Sequence, residues 1–420
     1  MKNIKSTITR ITHNRDARTL AGNFVWLSLL QVASYLFPLI TMPYLAKVIG
    51  AEGFGKIAFA SAIMVWMQTI ADWGFNLTAT RDIAKNRENS ELVAKIFSNV
   101  LWSRCLLAIF SFVVLLALIC VIPKFNENRL VIMVTFLMIP GHIFFPDWFF
   151  QAVEKMKYIT ILNILLRLLF TISVFLFVKE KEDYILQPLI TSIGYLVCGA
   201  ISLYIIVVKW GVKIYKPSSI GIFTTIKNST DVFINNLAPN LYNSMSIVLL
   251  GVFGGSAATG IFDGGNKFIS MSYQVLSIIE QTFFPFLSRY ISGHNIFLLV
   301  NLLASSIMAI VLFWGAPLII NLLLSPEFAD SVVVLKIMSL SVIFRAISNV
   351  YGKNFLIIMH RERELRSITV RCSIVGFIIA MPLIYHYGYI GAALTMTIGI
   401  FLMALFTAMV AKKTNNGENC

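Results

Sequence analysis

The chain has 420 residues, of which 58% are hydrophobic and only 13% are charged. A soluble protein of this length could not bury so much apolar surface in one core, so the composition argues against a soluble enzyme or a nucleic-acid-binding protein. The net charge of +14 is then expected to reflect how Lys and Arg are distributed around a membrane.

Twelve apolar runs follow one another along the chain, and most are about as long as a membrane-spanning helix, which needs about 20 residues. They are continuously apolar and do not alternate with period two, which favours helices over a barrel. No gap between them could hold a folded extramembrane domain. We therefore predict an all-α integral membrane protein with about twelve transmembrane helices. The predicted spans are 20–46, 57–77, 99–122, 130–150, 158–178, 185–208, 230–253, 268–288, 296–320, 332–352, 367–385 and 388–411.

Lys and Arg are spread unevenly between the two sides of these spans. With the N-terminus placed in the cytoplasm, 23 of them lie in inside segments and 7 in outside segments. This bias predicts a multi-pass protein of the bacterial inner membrane with both termini in the cytoplasm and an even number of spans. The polar segment 1–19 precedes the first apolar run without a small-residue cleavage site, so that run is expected to act as a signal anchor.

A short internal sequence similarity suggests that the chain contains two similar halves. Residues 45–57 and 249–261 share four identities at an offset of 204 residues. We predict two parallel six-helix lobes, 1–208 and 230–420, around a central cavity. The basic segment 209–229 would be a cytoplasmic linker between them.

Four cationic residues lie inside apolar runs, where a charged side chain at mid-bilayer costs about 2.5–3.5 kcal/mol on insertion scales. Such residues usually face a partner or a water-filled cavity. Arg104 and Lys336 lie near the ends of their runs, so both could instead extend to the lipid headgroups. Arg167 and Arg345 lie deeper, and for these two we favour a place in the lining of a cavity.

Carboxylates also occur inside the runs, and Asp72 and Glu280 are the deepest of them. One interpretation is a structural ion pair with one of the arginines. The other is a protonatable group that couples transport to an ion gradient. The sequence leaves both open. The remaining buried candidates are Asp147, Asp231 and Asp263.

The seventh run is polar on one side. Asn236, Asn240 and Asn243 follow helical spacing and are expected to share a face, with Pro239 among them. Amides inside a membrane can hold helices together, at about 1 kcal/mol each, or they can line a cavity that binds sugar. Three amides beside a proline favour the cavity.

The sequence has no phosphate-binding P-loop and no HExxH or GxSxG motif. Its five cysteines form no CxxC pair and no metal-ligand spacing. We therefore expect neither an enzyme nor a cofactor, and no metal site.

Three blocks of sequence resemble a known family. They are PYLAKVIGAEGFG at 43–55, DWGFNLTATR at 72–81 and PDWFFQAVEKMK at 146–157. All three resemble the Wzx polysaccharide flippases, which belong to the superfamily that also contains the MATE drug exporters and the lipid II flippases. The blocks cover the first four spans, and the second half is similar mainly in its pattern of spans.

The resemblance implies a flippase that moves an undecaprenyl-diphosphate-linked O-antigen repeat unit from the cytoplasmic to the periplasmic leaflet. Arginine suits the diphosphate because its planar fork binds phosphate oxygens in pairs. Arg81 is an additional candidate, with a positive-inside anchor as its alternative role. The predicted substrate-binding residues are Arg81, Arg104, Arg167 and Arg345 for the diphosphate and Asn236, Asn240 and Asn243 for the sugar.

The energy source could be the membrane potential, or a proton or sodium gradient acting through Asp72 or Glu280. The expected partner is the lipid-linked oligosaccharide, with a polysaccharide polymerase and a chain-length regulator as further candidates, and the default state is a monomer. Three alternatives remain: a MATE-like ion-coupled exporter of small organic molecules, a membrane enzyme such as a polymerase or glycosyltransferase, and a scaffold of an assembly complex.

Overall fold

The computed structural model describes residues 15–287 and 294–417. The described residues form helices joined by short turns and contain no strand. The predicted fold class is therefore confirmed. Four of the 23 Lys and Arg counted on the inside lie outside the described part, namely Lys2, Lys5, Arg10 and Arg289.

The first half of the chain opens with the longest helix. Helix α1 has 58 residues and contains a kink at Gly50, where φ is 66°. We call residues 15–49 its first arm and 51–72 its second arm. Helix α1 covers Arg15–Asp72. The remaining helices of this half are α2 (Phe75–Lys85), α3 (Ser90–Val121), α4 (Pro123–Glu127), α5 (Arg129–Phe136), α6 (Met138–Phe144), α7 (Asp147–Ala152), α8 (Met156–Phe177) and α9 (Leu186–Leu203). A 3₁₀ turn, Lys181–Ile185, precedes α9, and a π-helical turn, Tyr204–Lys209, follows it.

The second half begins with a broken span. Two helices are joined there by the 3₁₀ turn Ala238–Leu241. A π-helical turn, Asn349–Leu356, extends α14, and α15 contains a kink at Gly388. The helices are α10 (Ser219–Leu237), α11 (Ser244–Phe253), α12 (Gly255–Leu287), α13 (His294–Leu323), α14 (Ser331–Ser348) and α15 (Glu362–Gly417).

Eight helical segments of the described part are long and apolar enough to cross a membrane. Two of them contain the kinks at Gly50 and Gly388 and therefore supply two spans each. Helix α12, of 33 residues, and the broken pair α10 and α11 complete a set that accommodates the twelve predicted spans.

The helices alternate between two faces of the molecule. We call the face that carries the loops around residues 86–89, 153–155 and 210–218 the basic face, and the face that carries Gly50 and the turns at 178–185 and 325–330 the opposite face. The first half has its own buried apolar cluster, which includes Phe75, Phe97 and Phe149. A second cluster joins the first arm of α1 to helices of the second half.

The two halves contact each other backbone to backbone at the opposite face. A Cβ atom at Gly55 would lie 1.7 Å from the carbonyl oxygen of Ser256, and one at Gly260 would lie 1.9 Å from that of Ala51. The contact is reciprocal, because each member of one half is matched by a residue 205 positions later in the other. We call this the glycine seam.

The four sequence identities at an offset of 204 residues thus lie in the region of this contact, but the structure aligns the two halves at an offset of 205 residues. The left-handed glycines at the start of the second span of each half are Gly50, at the kink of α1, and Gly255, at the start of α12, with φ of 66° and 79°. Only this offset of 205 also aligns Gly55 with Gly260. The sequence comparison had aligned Gly50 with Gly254, which has an ordinary φ of −99°.

The predicted linker 209–229 is helical in its second part. Residues 211–217 form no helix. Helix α10 already begins at Ser219, where the Ser218 hydroxyl caps it by accepting a hydrogen bond from the Gly221 amide. This non-helical segment is held against α3, since Trp102 donates its indole N–H to the Tyr215 carbonyl at 2.9 Å. The division of the chain into two lobes remains a prediction.

Candidate functional site

A cavity of about 420 Å³ lies between both arms of α1 and helices α8, α9, α11 and α12. Its apolar wall comes mainly from α1, with Phe37, Met42 and Phe54 among the contributors. Its polar wall is richer in amides and hydroxyls than in charges. The polar lining residues are Thr41, Ser61, Asn163, Arg167, Gln187, Thr191, Tyr195, Ser244, Asp263 and Lys267.

Helical periodicity explains how this lining is assembled. On α8, Asn163 and Arg167 are one turn apart and therefore lie on the same side. On α9, Gln187, Thr191 and Tyr195 repeat every four residues and form a polar stripe facing α8. The stripe could have been found in the sequence from this spacing, but it was missed because each residue is uncharged.

Arg167 is the predicted site residue that lines this cavity. Its guanidinium is half-buried, and its Nε has no hydrogen-bond partner. It forms no ion pair with any carboxylate of the described residues. A buried cation with unused donors favours an anionic ligand, since leaving such donors unpaired is costly.

The second cation of the cavity was misplaced by the sequence analysis. The predicted eighth span, 268–288, leaves Lys267 just outside the helix. The helix in fact begins at Gly255, so Lys267 lies within it. Its ammonium is 3.1 Å from the Asp263 carboxylate one turn earlier. Since this pair is neutral, Arg167 leaves the cavity with one net positive charge.

Arg104 is one of the most deeply buried side chains, with 1% of its surface exposed. Its guanidinium forms an ion pair with Asp72 and does not line the cavity. Asp72 also accepts a hydrogen bond of 2.9 Å from the Gln68 amide. This is the structural ion pair that the sequence analysis had kept as an alternative; a substrate role for Arg104 and a coupling role for Asp72 remain predictions.

The other predicted charged residues lie apart from the cavity. Arg81 is exposed near the basic face, where its Nε donates to Asp82 at 3.0 Å. Arg345 on α14 lies over the ring of Tyr273, 5.6 Å from its centroid. Glu280 is buried on α12, about two turns beyond Tyr273 and outside the cavity lining.

The three asparagines do not share one helical face, because the helix breaks between them. Pro239 lies in the 3₁₀ turn that separates α10 from α11, so the spacing from which the shared face was predicted does not apply. Asn236 is exposed on α10. Asn240 donates its amide to the Thr69 hydroxyl at 3.0 Å, and this bond joins the break to the second arm of α1.

Side-chain contacts hold α10 against the first half of the chain near the basic face. The rings of Trp73 and Phe233 are stacked with centroids 3.8 Å apart and an angle of 4° between planes. The Thr78 and Ser229 hydroxyls are 2.7 Å apart. We call these contacts, together with the Asn240–Thr69 bond, the side-chain seam.

An ionic contact adds to the glycine seam on the opposite face. Glu327, between α13 and α14, accepts a hydrogen bond of 2.8 Å from the Ala51 amide at the start of the second arm. Its other oxygen is 2.8 Å from the Lys181 ammonium. The Lys181 ammonium and the Ala51 amide hold the pKa of the Glu327 carboxyl below its ordinary value, because both favour the charged form. Three turns from both halves therefore meet at one carboxylate.

Solved structures of a multidrug transporter and of a lipid flippase share this fold. An inward-facing multidrug resistance MATE family transporter aligns with a TM-score of 0.72 and 13% identity over 94% of this chain and 98% of that one. The lipid II flippase MurJ in an inward closed conformation also gives 0.72, with 14% identity over 93% of this chain and 87% of that one. An outward-facing MATE transporter aligns with a TM-score of 0.55 and 12% identity over 97% of this chain and 98% of that one.

The chain belongs to the polysaccharide biosynthesis protein family, whose profile matches residues 20–291. A relative from Escherichia coli (strain K12), named "Putative O-antigen transporter", is 28% identical over 391 residues, which cover 91% of this chain and 94% of the relative. A protein of the same name from Shigella dysenteriae is 27% identical over 93% of this chain and 99% of its own length. The resemblance drawn from the three sequence blocks is confirmed.

Proposed function

We propose that the chain is a flippase that moves undecaprenyl-diphosphate-linked O-antigen or related repeat units across the bacterial inner membrane by alternating access, with both termini in the cytoplasm. The names of its relatives support transport rather than catalysis. The observation that carries the proposal is the cavity, which has one unpaired arginine beside amide and hydroxyl groups.

Each part of such a substrate matches a feature of the molecule. The lipid tail can remain in the bilayer, whereas the diphosphate and the sugars cannot cross hydrocarbon unaided. Arg167 offers paired donors to phosphate oxygens. Asn163, Gln187 and Thr191 offer donors and acceptors to sugar hydroxyls. A cavity of about 420 Å³ is of the size that accepts a compact headgroup.

The closed opposite face supports an alternating mechanism. The glycine seam and Glu327 join the two halves of the chain at that face. An inside-negative potential would favour outward movement of the anionic headgroup by about 2.3 kcal/mol per charge per 100 mV. The protein would work as a monomer without a cofactor, beside a polymerase and a chain-length regulator in the same membrane.

Complementation tests the proposal. The chain is expressed in a bacterium that lacks its own O-antigen flippase but makes the matching repeat unit, and lipopolysaccharide ladders are scored. Arg167→Ala should reduce the ladder about tenfold or more at equal protein level, since a hydrogen bond to a charged group contributes about 1.5–3 kcal/mol. Arg167→Lys should retain part of it, because the point charge remains but the paired donors are lost.

The matched control is Arg363→Ala, which removes an exposed arginine of α15 far from the cavity lining. It should leave the ladder intact. If the unmodified chain inserts correctly and gives no ladder with a matched repeat unit, the flippase proposal is wrong. The MATE-like exporter then becomes the better hypothesis, and drug efflux is measured next.

A further inference from the structure

Both halves of the chain supply charged side chains to the cavity. Arg167 comes from α8 in the first half, whereas Asp263 and Lys267 come from α12 in the second. No carboxylate of the described residues pairs with Arg167, so this side chain can offset one negative charge of a ligand. The headgroup proposed above carries two, because each phosphate of a diphosphate diester is ionised. Among the residues that line the cavity, Lys267 is the cation left to bind the second phosphate.

Asp263 holds the Lys267 ammonium at the cavity wall. The two side chains are one turn apart on α12 and therefore share a face, with 3.1 Å between the ammonium and the carboxylate. The Asp263 side chain is only 11% exposed, whereas that of Lys267 is 42% exposed. The carboxylate is thus fixed in the wall, and the lysine is the more open of the two. Since an ammonium has three donors, one carboxylate contact leaves donors for a ligand.

An aromatic ring also holds the Lys267 ammonium at the cavity. Its nitrogen lies 5.5 Å from the centroid of the Phe54 ring, which is itself part of the cavity lining. The Phe54 ring packs edge-on against Phe328, with centroids 5.6 Å apart and 89° between planes. A cation is attracted to the face of such a ring without any carboxylate. The ammonium therefore keeps a favourable position at the cavity when its contact with Asp263 weakens.

The backbone beneath the ion pair is closely packed on its other side. A Cβ atom at Gly264 would lie 2.8 Å from the Phe328 ring, and one at Gly265 would lie 3.1 Å from the Ser331 carbonyl oxygen. The Ser331 hydroxyl donates a hydrogen bond of 2.6 Å to the Ile261 carbonyl oxygen. This part of α12 is thus fixed against α14 and the turn before it, so a response to a ligand is confined to the side chains that face the cavity.

We infer that Lys267 is a second phosphate-binding residue, which Asp263 holds at the wall until a ligand with two phosphates binds, and that the cavity therefore prefers diphosphate-linked to monophosphate-linked lipid headgroups. The inference rests on the proposed function, because it assumes that Arg167 binds the first phosphate. It goes further in assigning the preference between two classes of lipid-linked sugar to the pair of Lys267 and Asp263.

The ion pair makes the use of Lys267 depend on the charge of the ligand. A headgroup with one phosphate is neutralised at Arg167 and leaves the contact between Lys267 and Asp263 in place. A second phosphate brings a further anion to the ammonium, which then divides its donors between the phosphate and the carboxylate. Such charge-assisted hydrogen bonds are about twice as strong as those between neutral groups. Asp263 meanwhile repels any anion that does not bind the ammonium.

Isothermal titration calorimetry on the purified chain in detergent tests the preference without measuring transport. The two probes are a short-chain prenyl-diphosphoryl-N-acetylglucosamine and the corresponding prenyl-phosphoryl-N-acetylglucosamine, titrated in the same buffer. The unmodified chain should bind the diphosphate probe about tenfold or more tightly than the monophosphate probe, at the lower end of what a hydrogen bond to a charged group contributes.

Two variants should remove the preference by opposite routes. Lys267→Gln should weaken binding of the diphosphate probe about tenfold, as loss of a hydrogen bond to a charged group does, and leave the monophosphate probe unchanged. Asp263→Asn frees the ammonium for any anion, so it should strengthen binding of the monophosphate probe more than that of the diphosphate probe. Damage to the fold would instead weaken binding of both probes together.

Lys56→Gln is the matched control. Lys56 also pairs with a carboxylate one turn earlier on its helix, since its ammonium is 2.8 Å from Glu52. It also lies over an aromatic ring, 5.0 Å from the centroid of Tyr184. This arrangement lies outside the cavity lining. The variant should therefore bind both probes like the unmodified chain.

Equal affinity of the unmodified chain for the two probes would overturn the inference and leave the proposed function standing. The same would follow if Lys267→Gln kept the full preference, or if it weakened both probes equally. The first of these comparisons uses the unmodified chain, so it does not depend on any variant being folded. Absence of binding of the diphosphate probe to the unmodified chain would overturn the proposed function and the inference together.

Discussion

The two seams between the halves of the chain differ in which atoms make the contact, backbone atoms in one and mainly side-chain atoms in the other. At the opposite face, the glycine seam brings backbone against backbone, with no room for a single added carbon at Gly55 or Gly260. Near the basic face, contacts between side chains predominate: the ring stack, the hydroxyl pair, the Asn240 amide bond and a hydrogen bond of 3.4 Å from the Trp73 indole to the Thr230 hydroxyl. The closest backbone approach there is looser, since a Cβ atom at Gly74 would lie 3.0 Å from the Phe233 amide nitrogen. A backbone contact has only one close-packed arrangement, whereas side chains can separate and form new hydrogen bonds with water. The comparison suggests that the opposite face is closed more rigidly.

The largest effect is expected from Gly55→Ala, which places a carbon 1.7 Å from the Ser256 carbonyl oxygen. Forcing the helices apart costs about 1–3 kcal/mol or more, as overpacking generally does. We expect the opposite face to open and transport to fall. Spin labels at Asn126→Cys and Ala329→Cys, in a background without the native cysteines, report the opening as a longer distance.

Gly315→Ala is the control for that substitution, because its new carbon would meet only the flexible Ile319 side chain at 3.4 Å. It should change neither the distance nor transport. An unchanged distance in Gly55→Ala would show that the glycine seam does not hold the opposite face closed.

A smaller effect is expected from Glu327→Gln, which removes the charge shared by Lys181 and the Ala51 amide. Since the pKa of Glu327 is lowered from 4.5 in this closed arrangement, its contribution is present above that value and is lost as the pH falls below it. The label distance should therefore lengthen in the unmodified chain under acidic conditions. In Glu327→Gln it should be longer already at neutral pH and change less on acidification.

Glu127→Gln serves as its control. The Glu127 carboxylate is 2.6 Å from Lys124 on the same short helix, so the variant breaks an ion pair that does not cross between the halves. If both variants lengthen the distance equally, a general change of surface charge is responsible, and the role given to Glu327 is wrong.

The smallest effect is expected from Phe233→Ala in the side-chain seam. An aromatic pair contributes about 0.5–1.5 kcal/mol beyond the area it buries. Loss of the stack on Trp73 should increase maleimide labelling of a cysteine introduced at Thr230, while the opposite face stays closed. Phe223→Ala, which truncates an exposed ring on the same helix, should leave that labelling unchanged. Equal labelling in both variants would contradict the comparison.

The apolar runs were sufficient to predict the fold, because a helix that spans a membrane needs a continuous apolar stretch of about 20 residues. Almost every span of the chain has such a stretch. The exceptions have local causes. The predicted eighth span begins at 268, whereas the helix begins at Gly255, because the glycines and polar residues at 255–267 lower the hydropathy of that stretch. Lys267 was therefore placed outside the helix. The shared asparagine face was wrong because Pro239 introduces a 3₁₀ turn.

The candidate site was less predictable than the fold. Arg167 could be chosen from its depth in an apolar run, but Arg104, near the end of its run, was a candidate as well and is paired with Asp72. Which cation finds a carboxylate depends on how α3 packs against α1, and no single span contains that information. The polar stripe of α9 was overlooked because uncharged residues at helical spacing are common in ordinary packed helices.

The reciprocity of the glycine seam gives it the character of a subunit interface contained in one polypeptide. In a symmetric dimer every contact occurs twice, and a single substitution changes both copies. Here the two copies can be changed one at a time. Once Gly55→Ala has pushed the backbones apart, Gly260→Ala meets a gap already opened, so the free-energy costs of the two substitutions are expected to sum to more than the cost of the double variant.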